Sequence, residues 1–191
     1  MSDDNFFIPS MNELNVYFPE NSELVLTHSL KFDQKSFKIL SCAYSKPYLA
    51  IGYQKGVLLY KMTPKKIEKI NIQDKGAEIP APYLVKSFDK GFVVANTQQV
   101  VKIQFRGKDS FKFQTCNDFV DDPIVHSTFC ESNSKIIFSL TSLRKLIFDV
   151  KKFETEEEIL KKRTDITKLA YDQVDNSLIA FTSKKKVFLF E

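Results

Sequence analysis

The sequence is short of the residues that most often carry chemistry. Its 191 residues include two histidines, three cysteines and no tryptophan. Cys42, Cys116 and Cys130 form no C-x-x-C pair and leave an odd number, which argues against a zinc site or a disulfide framework. The opening residues MSDDNFFIPS are acidic and contain a proline, so they do not resemble a secretory signal. We therefore expect reduced thiols and an intracellular protein, in the cytoplasm or the nucleus.

Motifs typical of enzymes are also missing. No Walker A, G-x-G-x-x-G or G-x-S-x-G sequence occurs. A hydrolase triad would have to be assembled from common residues: His126, Ser127 or Ser139, and Asp121 or Asp122. A histidine satisfied within a strand is the preferred interpretation of His126, and Asp121-Asp122 before a proline is ordinary turn chemistry. The sequence predicts a protein that is not an enzyme, with no catalytic residues, no cofactor and no metal site.

Long apolar runs and a strong charge are absent as well. No run approaches the roughly 18 apolar residues of a membrane-spanning helix, so no transmembrane segment is expected. The net charge of +4 is modest, and the basic residues are spread through predicted turns, which does not demand an anionic partner. The 43% hydrophobic content, with 18 Phe and 7 Tyr, favours a folded, strand-rich domain.

One stretch, Ile39–Met62, sets the pattern for most of the chain. Its apolar runs Ile39–Tyr44, Tyr48–Gly52 and Val57–Tyr60 are separated by the turn-like sequences SKP and YQKG, which predicts a meander of strands. Similar stretches begin at Pro82, Ile124 and Ile166.

Two columns of residues measure the spacing of these stretches. The first strands end on an aromatic residue, namely Tyr44, Phe88, Phe129 and Tyr171, at spacings of 44, 41 and 42 residues. The second runs contain Leu49, Phe92, Ile136 and Leu178, at spacings of 43, 44 and 42 residues. A period of about 40–45 residues with several short strands per unit is typical of β-propeller blades, which stack because one small sheet cannot cover its own faces.

Some local motifs resemble those of known propellers. Phe148-Asp149 stands where WD-repeat propellers carry a Trp-Asp pair, and Phe190-Glu191 closes the last unit in a similar way. Leu49–Tyr60 resembles the Gly-turn-Gly hairpin of citron-homology and vesicle-tethering propellers. The sequence from about residue 36 to 191 thus resembles WD40-like and citron-homology-like repeats, although no Gly-His pair opens a unit and the hydrogen-bonded tetrad of a typical WD repeat is not expected.

The predicted organisation is all-β, with residues 1–12 as a flexible lead and 13–191 as a WD40-like propeller domain. The predicted units span about residues 36–75, 81–116, 123–163 and 165–191, after a leading hairpin at 14–30. In the third unit, Glu157/Lys161 and Glu158/Lys162 have the i,i+4 spacing of a helix, which predicts a short helical or irregular excursion.

Four units are too few for a seven-bladed ring, which needs roughly 280–300 residues. We expect an incomplete propeller, or part of a larger one, completed by a partner. The alternative is a closed four-bladed ring, in which Leu24–Leu30 pairs beside Val187–Phe190 and covers an otherwise exposed apolar edge.

Two sets of residues are candidates for binding. A patch for an anionic ligand would comprise Lys151, Lys152, Lys161, Lys162, Arg163, Lys184, Lys185 and Lys186. A partner edge would comprise Val187, Phe188, Leu189 and Phe190. In addition, Phe105-Arg106-Gly107 resembles part of the Phe-Arg-Arg-Gly element of phosphoinositide-binding propellers, without its second arginine.

The resemblance implies a non-catalytic scaffold that binds other protein subunits in a larger assembly, such as a vesicle-tethering or other multiprotein complex. The alternative function is a basic platform that binds RNA or an anionic phosphoinositide membrane surface, a class of partner that the modest charge does not favour.

Overall fold

The computed structural model describes residues 5–10, 12–32, 37–72, 79–88, 90–107, 110–130, 134–142, 144–158, 166–172, 177–182 and 184–190. Within these ranges the chain forms 18 β-strands and no helix. The strands make five antiparallel sheets, which we number in chain order. The predicted all-β class is therefore confirmed.

The first sheet has three strands in the order β1-β2-β3. They are β1 (Phe6–Pro9), β2 (Glu13–Glu20) and β3 (Glu23–Lys31). The second sheet has four, in the order β4-β5-β6-β7. They are β4 (Ile39–Ser45), β5 (Tyr48–Tyr53), β6 (Gly56–Met62) and β7 (Ile67–Ile70).

The third and fourth sheets repeat this four-stranded meander. The third consists of β8 (Leu84–Ser87), β9 (Gly91–Ala95), β10 (Val100–Phe105) and β11 (Phe111–Cys116). The fourth consists of β12 (Ile124–Cys130), β13 (Lys135–Leu140), β14 (Lys145–Asp149) and β15 (Glu154–Glu158). The fifth sheet has three strands, β16 (Ile166–Asp172), β17 (Ser177–Thr182) and β18 (Val187–Phe190).

The sheets pack on one another in chain order, because alternate residues of each strand point to opposite faces. In β5, Leu49 and Ile51 pack against the first sheet, whereas Tyr48 and Ala50 pack against the third. The strand β9 divides in the same way between the second and fourth sheets. The fifth sheet lies against the fourth through β16 and β12. Each inner sheet is therefore covered on both faces.

Two glycines allow close approach of the backbone. A Cβ atom at Gly91 would lie 2.0 Å from the carbonyl oxygen of Ile103 on the paired strand, so no side chain fits there. A Cβ atom at Gly52 would lie 2.9 Å from a methyl carbon of Val85 in the third sheet. Gly52 thus permits the second and third sheets to pack tightly.

A buried lysine links the third sheet to the fourth. Lys102 in β10 is only 4% exposed, and its ammonium donates hydrogen bonds to the carbonyls of Val150 (2.8 Å) and Lys151 (3.0 Å). The ammonium also lies 5.1 Å from the ring centroid of Phe88 and 5.8 Å from that of Phe153. Two carbonyls and two aromatic faces thus replace the water that the charge loses on burial.

Three expectations need correction. Phe6–Pro9, within the predicted flexible lead, pairs with β2 and makes the expected leading hairpin a three-stranded sheet. Glu154–Glu158, within the predicted helical excursion, is a strand paired with β14, because cross-strand pairing outweighs the weak preference of i,i+4 charges for a helix. The third is the closed-ring alternative, which needed Leu24–Leu30 to pair beside Val187–Phe190: among the described strands β3 and β18 belong to separate sheets and do not pair with each other.

The predicted aromatic column is in part confirmed. Two residues of the aromatic column pair with the apolar residue of the same unit in the second column, Tyr44 with Leu49 and Phe129 with Ile136. Phe88 instead lies one residue beyond the end of β8. Phe88 is buried, and Tyr44 and Phe129 are half-buried. The side chain of Tyr171 lies outside the described residues.

Replacing Phe88 by Ala should destabilise the domain by about 3–5 kcal/mol, the usual cost of a large cavity. The same change at half-buried Phe129 should cost less, because part of that side chain is already solvated. Urea unfolding of both variants measures the difference. Equal midpoints for Phe88→Ala and the parent would contradict the packing described for the third and fourth sheets.

Replacing Lys102 by Met should lower the free energy of unfolding by about 1–3 kcal/mol, because the buried carbonyl of Val150 loses its charged donor. Lys112→Met is the matched control, since Lys112 is exposed on the neighbouring strand β11. Urea unfolding should show a cost for the first variant and almost none for the second. Equal stability of the two variants would show that the buried ammonium is not a stabilising link.

Candidate interaction surfaces

The last sheet has an apolar face that the described residues cover only in part. Phe181, Val187 and Leu189 are cross-strand neighbours on this face, since Phe181 pairs with Val187 and Ile179 pairs with Leu189. Val187 is 59% and Leu189 61% exposed. The opposite face, which holds Leu169 and Ala180, is buried. We call the exposed side the fifth-sheet face.

The first sheet has a similar apolar face at the other end of the row. Phe6 pairs with Tyr17, and Tyr17 pairs with Leu26, so the three share one face. Phe6 and Leu26 are about half exposed, as are Ile8 and Leu24. Leu14 and Val16 point the other way and are fully buried against the second sheet. We call the exposed side the first-sheet face.

The predicted partner edge coincides with β18. Its four residues pair with β17 on one side, and no described strand pairs with the other side. Val187 and Leu189 of this edge are the exposed residues of the fifth-sheet face. The side chains of Phe188 and Phe190 lie outside the described residues. Three of the five sheets have a fourth strand at the corresponding position, whereas the described part of the last sheet has none.

The lysine residues of the predicted anionic patch fall into separate groups. Lys151 and Lys152 are exposed in the turn that follows β14, the third strand of its sheet. Lys184–Lys186 are exposed in the turn that follows β17, a second strand. Lys161, Lys162 and Arg163 lie outside the described residues. Because neighbouring strands run in opposite directions, turns after a second and after a third strand lie at opposite ends of a meander.

The turn that carries Lys184–Lys186 is well supported by hydrogen bonds. The Thr182 amide donates to the Lys186 carbonyl (3.0 Å), and the Lys185 amide donates to the Thr182 carbonyl (3.0 Å). The hydroxyl of Thr182 accepts from the Lys186 amide at 3.2 Å. Lys185 adopts the left-handed conformation, with φ of 59°. The turn therefore holds the three lysines next to the start of β18.

Sequence reasoning did not predict a groove between the first and second sheets. Its volume is 360 Å³, and its lining includes Phe18, His28, Tyr44, Pro47 and Met62. The Nδ1 atom of His28 is buried and makes no hydrogen bond. The sequence signal was weak, since these residues come from four separate strands and one turn.

The residues considered for catalysis have structural partners. The Asp122 carboxylate accepts hydrogen bonds from the Thr141 hydroxyl (2.8 Å), the Ser142 amide (2.8 Å) and the Ser142 hydroxyl, which lowers its pKa although partial burial opposes the shift. Asp122 thus caps the turn between β13 and β14. Desolvation lowers the pKa of His126, which pairs with Ser139 across the sheet.

The cysteine thiols are held in their protonated form. Burial raises the pKa of Cys130 to about 12 and that of Cys116 to about 11. Burial also raises the pKa of Cys42. Since the thiolate is the reactive form, these residues are poor nucleophiles near neutral pH. Among the described residues, no three His, Cys, Asp or Glu side chains come together as a metal site would require.

No helix within the described ranges is long and apolar enough to cross a membrane.

No family model and no curated protein matches the sequence. Many solved structures resemble the fold, and two of them are given as examples. Hsv2 of Kluyveromyces lactis, in a structure with a complete loop 6CD, is 12% identical with a TM-score of 0.70, and the match covers 95% of this chain and 55% of that chain. The apo form of AztD from Citrobacter koseri is 13% identical with a TM-score of 0.61, and the match covers 98% of this chain and 56% of that one. The chain thus spans just over half the length of each structure that it resembles.

Replacing Lys184 and Lys186 together by Ser should change the free energy of unfolding by less than about 0.5 kcal/mol, because both side chains are exposed. Thr182→Val is the contrasting variant. It removes the hydroxyl that bonds to the Lys186 backbone and should cost about 1 kcal/mol. Chemical denaturation of the two variants provides the comparison. A large loss in the lysine variant would mean that these residues are needed for folding rather than free for a ligand.

Proposed function

We propose that this chain is a propeller-type interaction module that acts as a non-catalytic scaffold subunit of a larger intracellular assembly. In this proposal each sheet is a blade, and the five blades are part of a ring. Additional blades, from a partner or from further sequence, would pack on the first-sheet and fifth-sheet faces.

The exposed faces at the two ends of the row are the observation that carries the proposal. The apolar run of β17, Leu178–Phe181, resembles the run Phe92–Ala95 of β9 in composition. In β9 both faces are buried between neighbouring sheets, whereas in β17 the face of Ile179 and Phe181 is only partly covered. A strand with two apolar faces is suited to a position between two sheets. The last sheet therefore has the composition of an inner blade without its outer neighbour.

The packing of the first strands also favours a propeller. β4 lies against β8, and β12 lies against β16, so in two pairs of neighbouring sheets the first strands meet. In a propeller the first strands of the blades come together around the central channel. The two solved structures, each almost twice as long as this chain, leave room for further blades.

The alternative function, a basic platform for RNA or an anionic membrane, is less well supported. The two described lysine groups occupy turns of opposite kinds and would lie on opposite rims if neighbouring sheets have the same orientation. Binding to phosphates would weaken steeply between low and physiological salt, whereas an apolar protein interface would change little. A salt titration of any binding that is detected separates the two functions.

Substitution of the end faces tests the scaffold proposal. Leu24→Glu with Leu26→Glu, and separately Val187→Glu with Leu189→Glu, should abolish assembly, since a charge placed in an apolar interface costs at least about 2 kcal/mol, or roughly 30-fold in affinity. The measurement is the mass of the complex that contains the tagged chain in its native cell, from size-exclusion chromatography and light scattering.

The matched control is Val120→Glu with Val125→Glu, because these valines are equally exposed but lie on neither end face. The control should leave the mass of the complex unchanged. If all three double variants give the mass of the parent complex, the end faces are not interfaces. Circular dichroism of each variant must first show that it folds.

A further inference from the structure

Three features of the last sheet lie together at the unpaired edge of β18. The last sheet has no described fourth strand, the turn before β18 holds three exposed lysines, and Val187 and Leu189 expose apolar side chains beside this edge. We propose that β18 binds an extended segment of a partner protein as a fourth, antiparallel strand, and that the segment has an acidic C-terminal end. This inference builds on the proposed function and specifies the chemistry of one partner.

The backbone geometry defines which groups are available. The Thr182 amide donates to the Lys186 carbonyl, so Lys186 directs its backbone groups toward β17. Along an antiparallel strand, the backbone N–H and C=O groups of successive residues point alternately toward one neighbouring strand and toward the other. Val187 and Leu189 therefore direct their N–H and C=O groups away from β17. Two amides and two carbonyls can pair with an added strand of at least four residues, the length of β7 in the second sheet.

The other sheets show the direction that such a strand takes. β7 runs antiparallel to β6, so that Ile67, at its N-terminal end, lies opposite Met62 at the end of β6, and Ile70, at its C-terminal end, lies opposite Leu59 in the middle of β6. In the fourth sheet Glu158 lies opposite Leu146 at the start of β14. An added strand on β18 with the same direction would bring its C-terminal end beside Lys186 and the turn before it.

Charge complementarity then specifies the composition of the added strand. In the fourth sheet the residues before and at the start of β14 are basic, Arg144 and Lys145, and the C-terminal end of β15 is acidic, Glu156–Glu158. The last sheet has the same basic element, Lys184–Lys186, but lacks the acidic strand. An acidic end would be attracted to these lysines, and apolar residues opposite Val187 and Leu189 would cover their exposed side chains.

A synthetic peptide provides a direct test. The probe is fluorescein-labelled Thr-Val-Thr-Val-Glu-Glu-Glu, whose valines would lie opposite Leu189 and Val187. Its control is the same peptide with both valines N-methylated, which keeps the charge and side chains but removes the two amide donors that a strand needs. We expect binding of the first peptide by fluorescence anisotropy at low salt, and a loss of at least about tenfold for the control, because strand addition depends on main-chain hydrogen bonds.

Variants of the protein test the charge requirement. Lys184→Glu with Lys186→Glu should weaken peptide binding by about tenfold or more, since like charges then face each other. Lys185 is left unchanged because of its left-handed conformation. Lys151→Glu with Lys152→Glu is the control and should bind as the parent does, because these lysines lie in a turn of another sheet.

Hydrogen exchange of single amides identifies the site. The Val187 and Leu189 amides should become protected in the presence of the peptide and remain unprotected with the N-methylated control. The proposal is overturned if the peptide does not bind, if both peptides bind equally, or if these amides gain no protection. It is also overturned if a 12-nucleotide RNA or a phosphoinositide vesicle binds in a lysine-dependent way while the peptide does not.

These outcomes are separate from those for the scaffold proposal. Failure of peptide binding leaves the mass of the assembled complex, and its dependence on the first-sheet face, unaffected. Unchanged complex mass in the face variants would contradict the scaffold without affecting peptide binding by the purified chain.

Discussion

A small antiparallel sheet with apolar residues on both faces cannot bury them by itself, and this constraint governs the whole chain. Burial of apolar area contributes roughly 25 cal/mol per Å², so leaving a face exposed forfeits a large part of the stability available to a domain of this size. The second, third and fourth sheets meet the constraint by packing between two neighbours. The first and fifth sheets meet it on one face each, and the apolar character of their other faces is what the proposed interfaces rest on.

Apolar contacts alone would let neighbouring sheets slide, because they have no direction. The link from Lys102 to the turn after β14 supplies a directional contact, since its donors must reach two particular carbonyls. Asp149 shapes this turn by accepting a hydrogen bond from the Lys152 amide at 2.8 Å. The Phe148-Asp149 pair, noted in the sequence for its likeness to a Trp-Asp pair, thus places Phe148 in the core and Asp149 at the end of β14, beside the turn that receives the lysine.

Much of the strand pattern could be predicted from the sequence. The runs Ile39–Tyr44 and Tyr48–Gly52 each lie within one residue of the observed strand ends, because the turn residues between them mark where one strand stops and the next begins. The short helical or irregular excursion predicted in the third unit is wrong for Glu154–Glu158, since charge spacing along a chain carries no information about an adjacent strand. Phe6–Pro9 was missed as a strand because its pairing with β2 depends on a contact that the local pattern does not show.

The candidate surfaces were harder to predict, for a related reason. The sequence indicated Val187–Phe190 as a partner edge, because an apolar edge strand is exposed unless another strand pairs with it. It could not indicate that Phe181 and Ile179 share an exposed face, since the same apolar run in β9 is buried on both sides. Whether a face is covered depends on the neighbouring sheet, which is a property of the assembled structure and not of the strand.

The packing of sheets in chain order has a consequence for synthesis on the ribosome. Each sheet is a contiguous meander of about 30 residues, and its apolar contacts are with the sheet made just before it and the one made just after it. Because few contacts span distant parts of the chain, each newly emerged meander can fold onto a template that is already outside the exit tunnel. Translation from the N-terminus would then extend the structure one sheet at a time, with one uncovered face moving along with the growing chain and the first-sheet face uncovered throughout.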